Sequence, residues 1–228
     1  MEFVLIEPQG RCEDCYGKSN VLQCARLNCK GSFYMGKYEL TQGQWKKVMG
    51  NNPSRFQLMS VVGDNASKMG AMLFDAYPVD SVDIADVEGF LKKLNEVDDK
   101  NKPLDKPYRL PTEQEWVFAA QGGGDNQYAF SQKQLGQYAW FAHNSGGSTH
   151  PVGLKKPNVY GLYDMLGNVF EWTCSAYSSD TYNPVDQGCN SYRNRVICGG
   201  SYSYPYHYIN SNFRMTTSYS GFRVVLPH

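Results

Sequence analysis

A chain of 228 residues is long enough for one large domain that buries its own core without staples. Lys+Arg and Asp+Glu both number 22, and this zero balance argues against nucleic acid or an anionic membrane as a partner, since either favours a basic excess. No apolar run reaches the roughly 20 residues of a membrane span. Met1 leads straight into Glu2-Phe3-Val4-Leu5-Ile6-Glu7, without the regions of a signal peptide, so none is expected.

In chain order, Phe3-Ile6 reads as a first strand. Cys12, Cys15, Cys24 and Cys29 form a Cys-rich insertion over residues 12–29. Both of its pairs have the two to four intervening residues of a zinc site, where four thiolates make a closed structural staple. Two disulfides fit the same spacing in an oxidising compartment. Seven cysteines in all cannot pair completely within the chain. Phe33-Tyr38 is a second strand. A helix over Thr41-Met49 follows, with Thr41 and Gln44 at capping-box spacing, Trp45, Val48 and Met49 on one face, and Gly50 as its stop. Ile84, Val87, Phe90, Leu91 and Leu94 recur at helical steps from about Asp83 to Val97. Thr112 and Glu115 cap a third helix that ends at Ala119-Ala120.

From Gln121 to Asn158 the chain is rich in Gly, Ser and Asn and has no clear periodicity, although Tyr138, Trp140 and Phe141 argue that it is packed. Phe170-Cys174, Val196-Cys198 and Phe222-Leu226 are candidate strands. Cys174 reads as core. Cys189 and Cys198 are either a local disulfide or two buried thiols. Strands at both chain ends with helices between them predict one α+β domain over 1–228, with one sheet joining the termini. His143 and His150 have no nucleophile beside them in sequence. Gly122-Gly123-Gly124 lacks the Lys-Ser/Thr of a phosphate loop.

Residues Gly199 to Ser220 differ from the rest. Fifteen of these 22 are Tyr, Ser, Asn, Thr or His, and Arg214 is the only charge. Tyr offers large, rigid contact area at low entropic cost, and Ser and Asn add adaptable hydrogen bonding, as in antibody loops. A core made this way would leave hydroxyls and amides to be satisfied at about 1–3 kcal/mol each. A merely solubilising surface would use Lys and Glu. Phe213, Met215 and Phe222 read as core, and Arg214 as holding carbonyls or a carboxylate internally.

Five segments together resemble the formylglycine-generating enzyme (sulfatase-modifying factor) family, in that family's order: Phe33-Thr41, Pro78-Val82, Tyr108-Trp116, Gly161-Trp172, and Gly199-Tyr202 with Gly221-Val225. The resemblance implies an irregular C-type lectin-like fold with a small antiparallel sheet and two or three helices. The family's oxidase holds copper with two cysteines soon after Gly-Gly-Ser-Tyr, a pair that suits soft Cu(I). The matching positions here are Tyr204 and Ile209, so no catalytic residue and no catalytic cofactor is expected. The iron-dependent sulfoxide synthases of the family need a helical domain with a His/Glu motif, which finds no place among His143, His150, His207 and His228. The layout is most similar to the variable proteins of diversity-generating retroelements, whose variable segment lies between a Gly-Gly-Ser-aromatic motif and a terminal Gly-Phe-Arg strand.

The resemblance therefore implies a diversifiable ligand-binding region over 199–225, with Ser203, Tyr204, Tyr206, His207, Tyr208, Asn210, Asn212, Thr216 and Tyr219 as contact residues. Mutation of AAY codons at adenine yields Asn, Tyr, Ser, Thr, His and Ile among others, and Tyr204, Tyr206, His207, Tyr208, Ile209, Asn210 and Asn212 belong to that set. The expected partner is a macromolecule, a surface protein or glycan, and the expected location is surface-displayed or virion-associated. A non-diversified binding or structural member, and a metal-dependent oxidase, are the alternatives. The family also has a calcium site. Asp164, Gly167, Val169 and Glu171 match it, with oxygen donors suited to a hard cation. Its second calcium site is expected to be missing, because Trp140 stands where an Asn ligand belongs.

Overall fold

The computed structural model describes residues 1–7, 31–57, 74–98, 106–124, 128, 130–177 and 194–228. The Cys-rich insertion and Cys189 lie outside them. The chain runs β1 (Phe3–Ile6), β2 (Phe33–Gly36), α1 (Gln42–Met49), α2 (Ile84–Val97), α3 (Glu113–Ala120), α4 (Leu135–Tyr138), β3 (Glu171–Ala176), β4 (Arg195–Cys198), β5 (Arg214–Met215) and β6 (Val225–Pro227).

The helices start where their side chains can satisfy the first backbone N–H groups. Thr41 with Gln44, Asp83 with Asp86, and Thr112 with Glu115 each form a reciprocal capping box, a device worth about 1 kcal/mol per cap. Gly50 closes α1 in the left-handed conformation at φ 80°, which glycine adopts without steric cost. Glu115 carries a second load. Besides its cap it takes both Arg109 terminal nitrogens, each at 2.7 Å.

The termini meet as expected. β2 pairs antiparallel with β1 on one side and β6 on the other, with Met35 opposite both Val4 and Val225. A second sheet was not expected. β3, β4 and β5 form another antiparallel three-stranded array, and the two-residue β5 is too short for a sequence pattern to betray. Two apolar clusters fill the interior. One gathers Ile6, Met35, Trp116, Leu162 and Ile209. The other gathers Trp45, Phe90, Trp172, Ile197 and Phe222, with Trp45 stacked on Phe90 at 5.2 Å.

Several details depart from the sequence reading. The stretch after Gln121 is packed, but it carries a 3-10 turn at Gln132–Gln134 and the short helix α4. Cys174 is buried and is also disulfide-bonded, to a partner outside the described residues. Cys198 is a buried thiol, so a Cys189–Cys198 disulfide is not formed. Among the described residues no helix is long and apolar enough to cross a membrane.

One ion pair ties these parts together. Arg223, fully buried just before β6, donates from Nη2 to Glu171 Oε1 at 2.6 Å and from Nε to Oε2 at 2.7 Å. It also donates to the carbonyls of Gly36 and Tyr163, each at 3.0 Å. Trp116 of α3 donates its indole N–H to the same Glu171 Oε2 at 2.7 Å. Removing one member leaves buried charge unmatched. Arg223→Met is therefore expected to cost about 3–5 kcal/mol, read as a lowered urea midpoint against wild type.

Candidate ligand-binding site

The segment from Gly199 to Ser220 is held by its backbone, from outside. At its start the Gly199 carbonyl accepts the Gly167 N–H at 2.9 Å, and the Tyr202 N–H donates to the Asn168 carbonyl at 2.9 Å. Gly200, at φ 81°, has no room for a side chain, because a Cβ would strike the Ile209 methyl group. In the middle, the Tyr204 carbonyl accepts the Ala142 N–H at 3.0 Å, and Gln121 donates to the Ser211 hydroxyl at 3.1 Å. At its end, Ser220 exchanges two backbone hydrogen bonds with Val82 (2.9 and 3.2 Å), and Gly221 donates to Phe170 at 3.0 Å. Arg214 forms an ion pair with Glu113 of α3 at 2.7 Å, the internal carboxylate expected of it. Phe222 is fully buried, whereas Phe213 and Met215 are only half-buried.

The side chains expected to face a ligand divide into three groups. Tyr206, His207 and Tyr208 form an exposed 3-10 turn, and Tyr219 is more open than either of its tyrosines, with 63% of its surface accessible. Ser203 is also exposed. Asn210, Asn212 and Thr216 are half-buried. Asn210 folds back on the chain, donating to the His207 carbonyl at 3.0 Å and accepting the Asn212 N–H at 3.0 Å. The Asn212 side-chain oxygen accepts from Gln121 at 3.4 Å. Tyr204 is half-buried and touches both apolar clusters. Its ring meets Phe170 edge-on at 4.8 Å, so packing as well as contact occupies it. Ile209 is fully buried.

A cleft of about 250 Å³ opens between this segment and the scaffold. Ser203, Tyr204 and Tyr219 line it, whereas the Tyr206–Tyr208 turn does not. Tyr202 and Thr217 of the segment line it too, and its other wall, outside the segment, is formed by Arg55, Phe56, Asp80 and Ser81, which the sequence reading does not single out. Phe56 meets Tyr202 edge-on at 5.1 Å. Asp80 sits in the Pro78-Val82 motif, which was read only as a family marker. A lone Asp among valines was the available signal, and it is a weak one.

Behind the segment lies a buried acidic cluster. Glu39, Asp164 and Glu171 share the buried cation Arg223, and Lys155 also acts on Asp164. Burial raises the Glu39 carboxyl well above its usual range, and the charges of Asp164 and Glu171 push it further. Burial likewise raises Asp164 to about 6, against the pull of the Gly153 N–H and Arg223. Asp164 Oδ2 accepts that N–H at 2.7 Å, while Oδ1 is buried without a partner. Glu39 accepts from the Asn168 amide at 2.6 Å and the Val169 N–H at 3.1 Å. Gly167, at φ 78°, lies so close to Trp140 that a Cβ would meet its carbonyl oxygen. Trp140 itself stacks on His150 at 3.8 Å under the Lys155 ammonium.

The donor set suits a calcium ion in part. The orphaned Asp164 oxygen and the excess of negative charge fit a hard cation. Glu171 fits less well, since Arg223 and Trp116 already occupy three of its lone-pair sites. Among the described residues, no three or more His, Cys, Asp or Glu side chains are grouped to hold a metal.

Comparison with known proteins places this geometry. Residues 15–227 match the family model of the sulfatase-modifying factor enzyme 1-like domain. The chain is 31% identical over 189 residues to the chaperone protein LppX of Paenibacillus barcinonensis, covering 67% of this chain and 65% of that protein. It is 36% identical over 123 residues to the formylglycine-generating enzyme of Mus musculus, covering 44% of this chain and 32% of the enzyme. It thus spans less than two thirds of the length of these curated relatives. Among solved structures, Treponema denticola variable protein 1 superposes with a TM-score of 0.70 at 30% identity, covering 86% of this chain and 85% of that one.

The acidic cluster predicts a pH dependence. Asp164 has a higher pKa folded (about 6) than in its unperturbed state (3.8). The native state therefore holds the extra proton between these values, and stability from this group falls as pH rises through them. Asp164→Asn keeps the Gly153 bond and removes the titration. In chelator, its stability relative to wild type is expected to grow by about 2 kcal/mol between pH 4 and pH 7, measured by urea unfolding at each pH. An offset independent of pH would refute the assignment.

Proposed function

The chain belongs to the sulfatase-modifying factor (formylglycine-generating enzyme) family, with its C-type lectin-like fold, and we propose that it is a non-catalytic binding member whose segment 199–220 is a diversifiable ligand-binding face. One observation carries this reading. The two positions that bear copper-binding cysteines in the oxidase are Tyr204, half-buried in an aromatic cluster, and Ile209, fully buried in the core. Neither can supply a thiolate, so the redox chemistry has no soft ligand pair there.

What stays is recognition. The loop backbone is fixed by Gly167, Asn168, Ala142, Val82 and Phe170, all outside the segment. Exposed side chains can change without disturbing those bonds. A loop held this way loses little entropy on binding, and its Tyr-rich surface supplies rigid amphipathic contact. The likeness to a Treponema denticola variable protein supports diversification. The likeness to a protein named as a chaperone supports binding without turnover. The partner proposed is a protein or glycan presented on a surface, with this chain itself surface-displayed or virion-associated.

Two structural metals belong to the same reading: zinc on Cys12, Cys15, Cys24 and Cys29, and calcium at Asp164, Gly167, Val169 and Glu171. Metal analysis of protein prepared without chelator tests both.

The copper-loaded protein, offered a cysteine-containing peptide, is expected to consume no oxygen, and turnover would overturn the reading of Tyr204 and Ile209. Tolerance is tested by replacing Tyr206, His207, Tyr208 and Tyr219 together with Ser. The melting temperature is expected to move by no more than about 4 °C, whereas Ile209→Ser alone lowers it well beyond that. Diversification requires a near-repeat of the coding segment that differs at adenines; a locus without one removes that element and leaves binding.

A further inference from the structure

The cleft has two walls of different origin. One comes from the Tyr/Ser-rich segment. The other comes from Arg55, Phe56, Asp80 and Ser81, outside it, and carries the carboxylate of Asp80, a residue about nine-tenths buried. Asp80 Oδ1 is fully engaged, accepting the Arg55 N–H at 2.8 Å and the Ser81 hydroxyl at 2.6 Å. Oδ2 is buried and has no hydrogen-bond partner. A buried carboxylate oxygen left without a donor is costly, and among the described residues no donor meets it. The backbone there is rigid. Val82 is bonded to Ser220 and accepts the Trp172 indole N–H at 3.1 Å, and Ser81 is held at φ 61°, a conformation L residues seldom take.

Aromatic rings complete the lining. Phe56, Tyr202, Tyr204 and Tyr219 share the cleft with Asp80. Rings of this kind favour an alkyl stem that ends in a cation. Arg55 adds positive charge at the rim, but it is an exposed residue, with its guanidinium 5.5 Å above the Phe56 ring, so solvent and salt screen it.

We propose that this cleft takes a lysine side chain of a protein ligand, with the ammonium on Asp80 Oδ2 and the methylenes against the rings. The choice of lysine over arginine follows from the carboxylate. A guanidinium binds best through both oxygens at once, and Oδ1 is already taken. A single free oxygen suits a point donor. Asp80 lies outside the segment read as diversifiable, so it is a constant anchor while the opposite wall changes. The inference rests on the binding-face reading and names the chemistry of its ligand.

The test uses the full chain and three probes: the Nα-acetyl methylamides of lysine, arginine and norleucine, titrated by ¹H–¹⁵N NMR. The lysine probe is expected to saturate, to shift the resonances of Ser81, Tyr202 and Tyr219, and to bind at least about tenfold more tightly than norleucine, with arginine between. Asp80→Asn is expected to erase the preference in a variant that still folds cooperatively. Should that variant not fold, the wild-type lysine-to-norleucine ratio decides alone. Equal binding of lysine and norleucine, no saturable binding, or a preference that survives in Asp80→Asn would overturn the proposal. Loss of the lysine preference beside intact tolerance of the exposed tyrosines removes this inference only. Copper-dependent oxygen consumption would remove the binding-member reading itself.

Discussion

A guanidinium with no access to water joins the two sheets of this protein. Arg223 stands just before β6 of the terminal sheet and grips Glu171 at the start of β3 in the other. Its remaining donors reach the carbonyls of Gly36 and Tyr163, and Trp116 brings α3 to the same carboxylate. With little regular structure between the helices and the strands, such a hub replaces what a large sheet would otherwise provide. Every polar atom of the pair has a partner, which is the condition under which a buried ion pair holds rather than disrupts a core.

The hub also explains why the surface above it can be irregular. Segment 199–220 owes its path to backbone bonds with residues outside it, to the buried anchor Ile209 and to the half-buried Arg214–Glu113 pair. Half of Tyr204 belongs to the core and half to the cleft. The outer residues Tyr206, His207 and Tyr219 are exposed, and Tyr208, also exposed, rests one side of its ring on Phe213. Stability and recognition are thus placed on different residues of one short stretch, and side chains can vary on one without penalty to the other.

The same region carries unspent electrostatic tension. Glu39, Asp164 and Glu171 outnumber Arg223, and burial makes each additional charge expensive. A proton on Asp164 or Glu39, or a hard cation beside the orphaned Asp164 oxygen, relieves it. The loop from Asp164 to Asn168 bends through left-handed backbone at both of these residues and at Gly167. Tyr202 is bonded to Asn168, which ties this loop to the base of the binding segment.

The sequence by itself determined what is local. Capping boxes at Thr41 and Thr112, the helical period from Ile84 to Leu94, and the meeting of the chain ends all depend on residues a few positions apart or on plain alternation. The family motifs and the absence of cysteine at positions 204 and 209 were equally legible, because they need only order and identity. Tertiary structure alone decided the rest. The second sheet depends on a two-residue strand with no pattern of its own. The partners of Arg214 and Arg223 span distances along the chain that no spacing rule reaches. Asp80 became part of a site only when the segment at 78–82 was laid beside Ser220. Hydrogen bonds and desolvation act through space, and an isolated aspartate in a string of letters does not say whether its second oxygen will meet water, a donor, or neither.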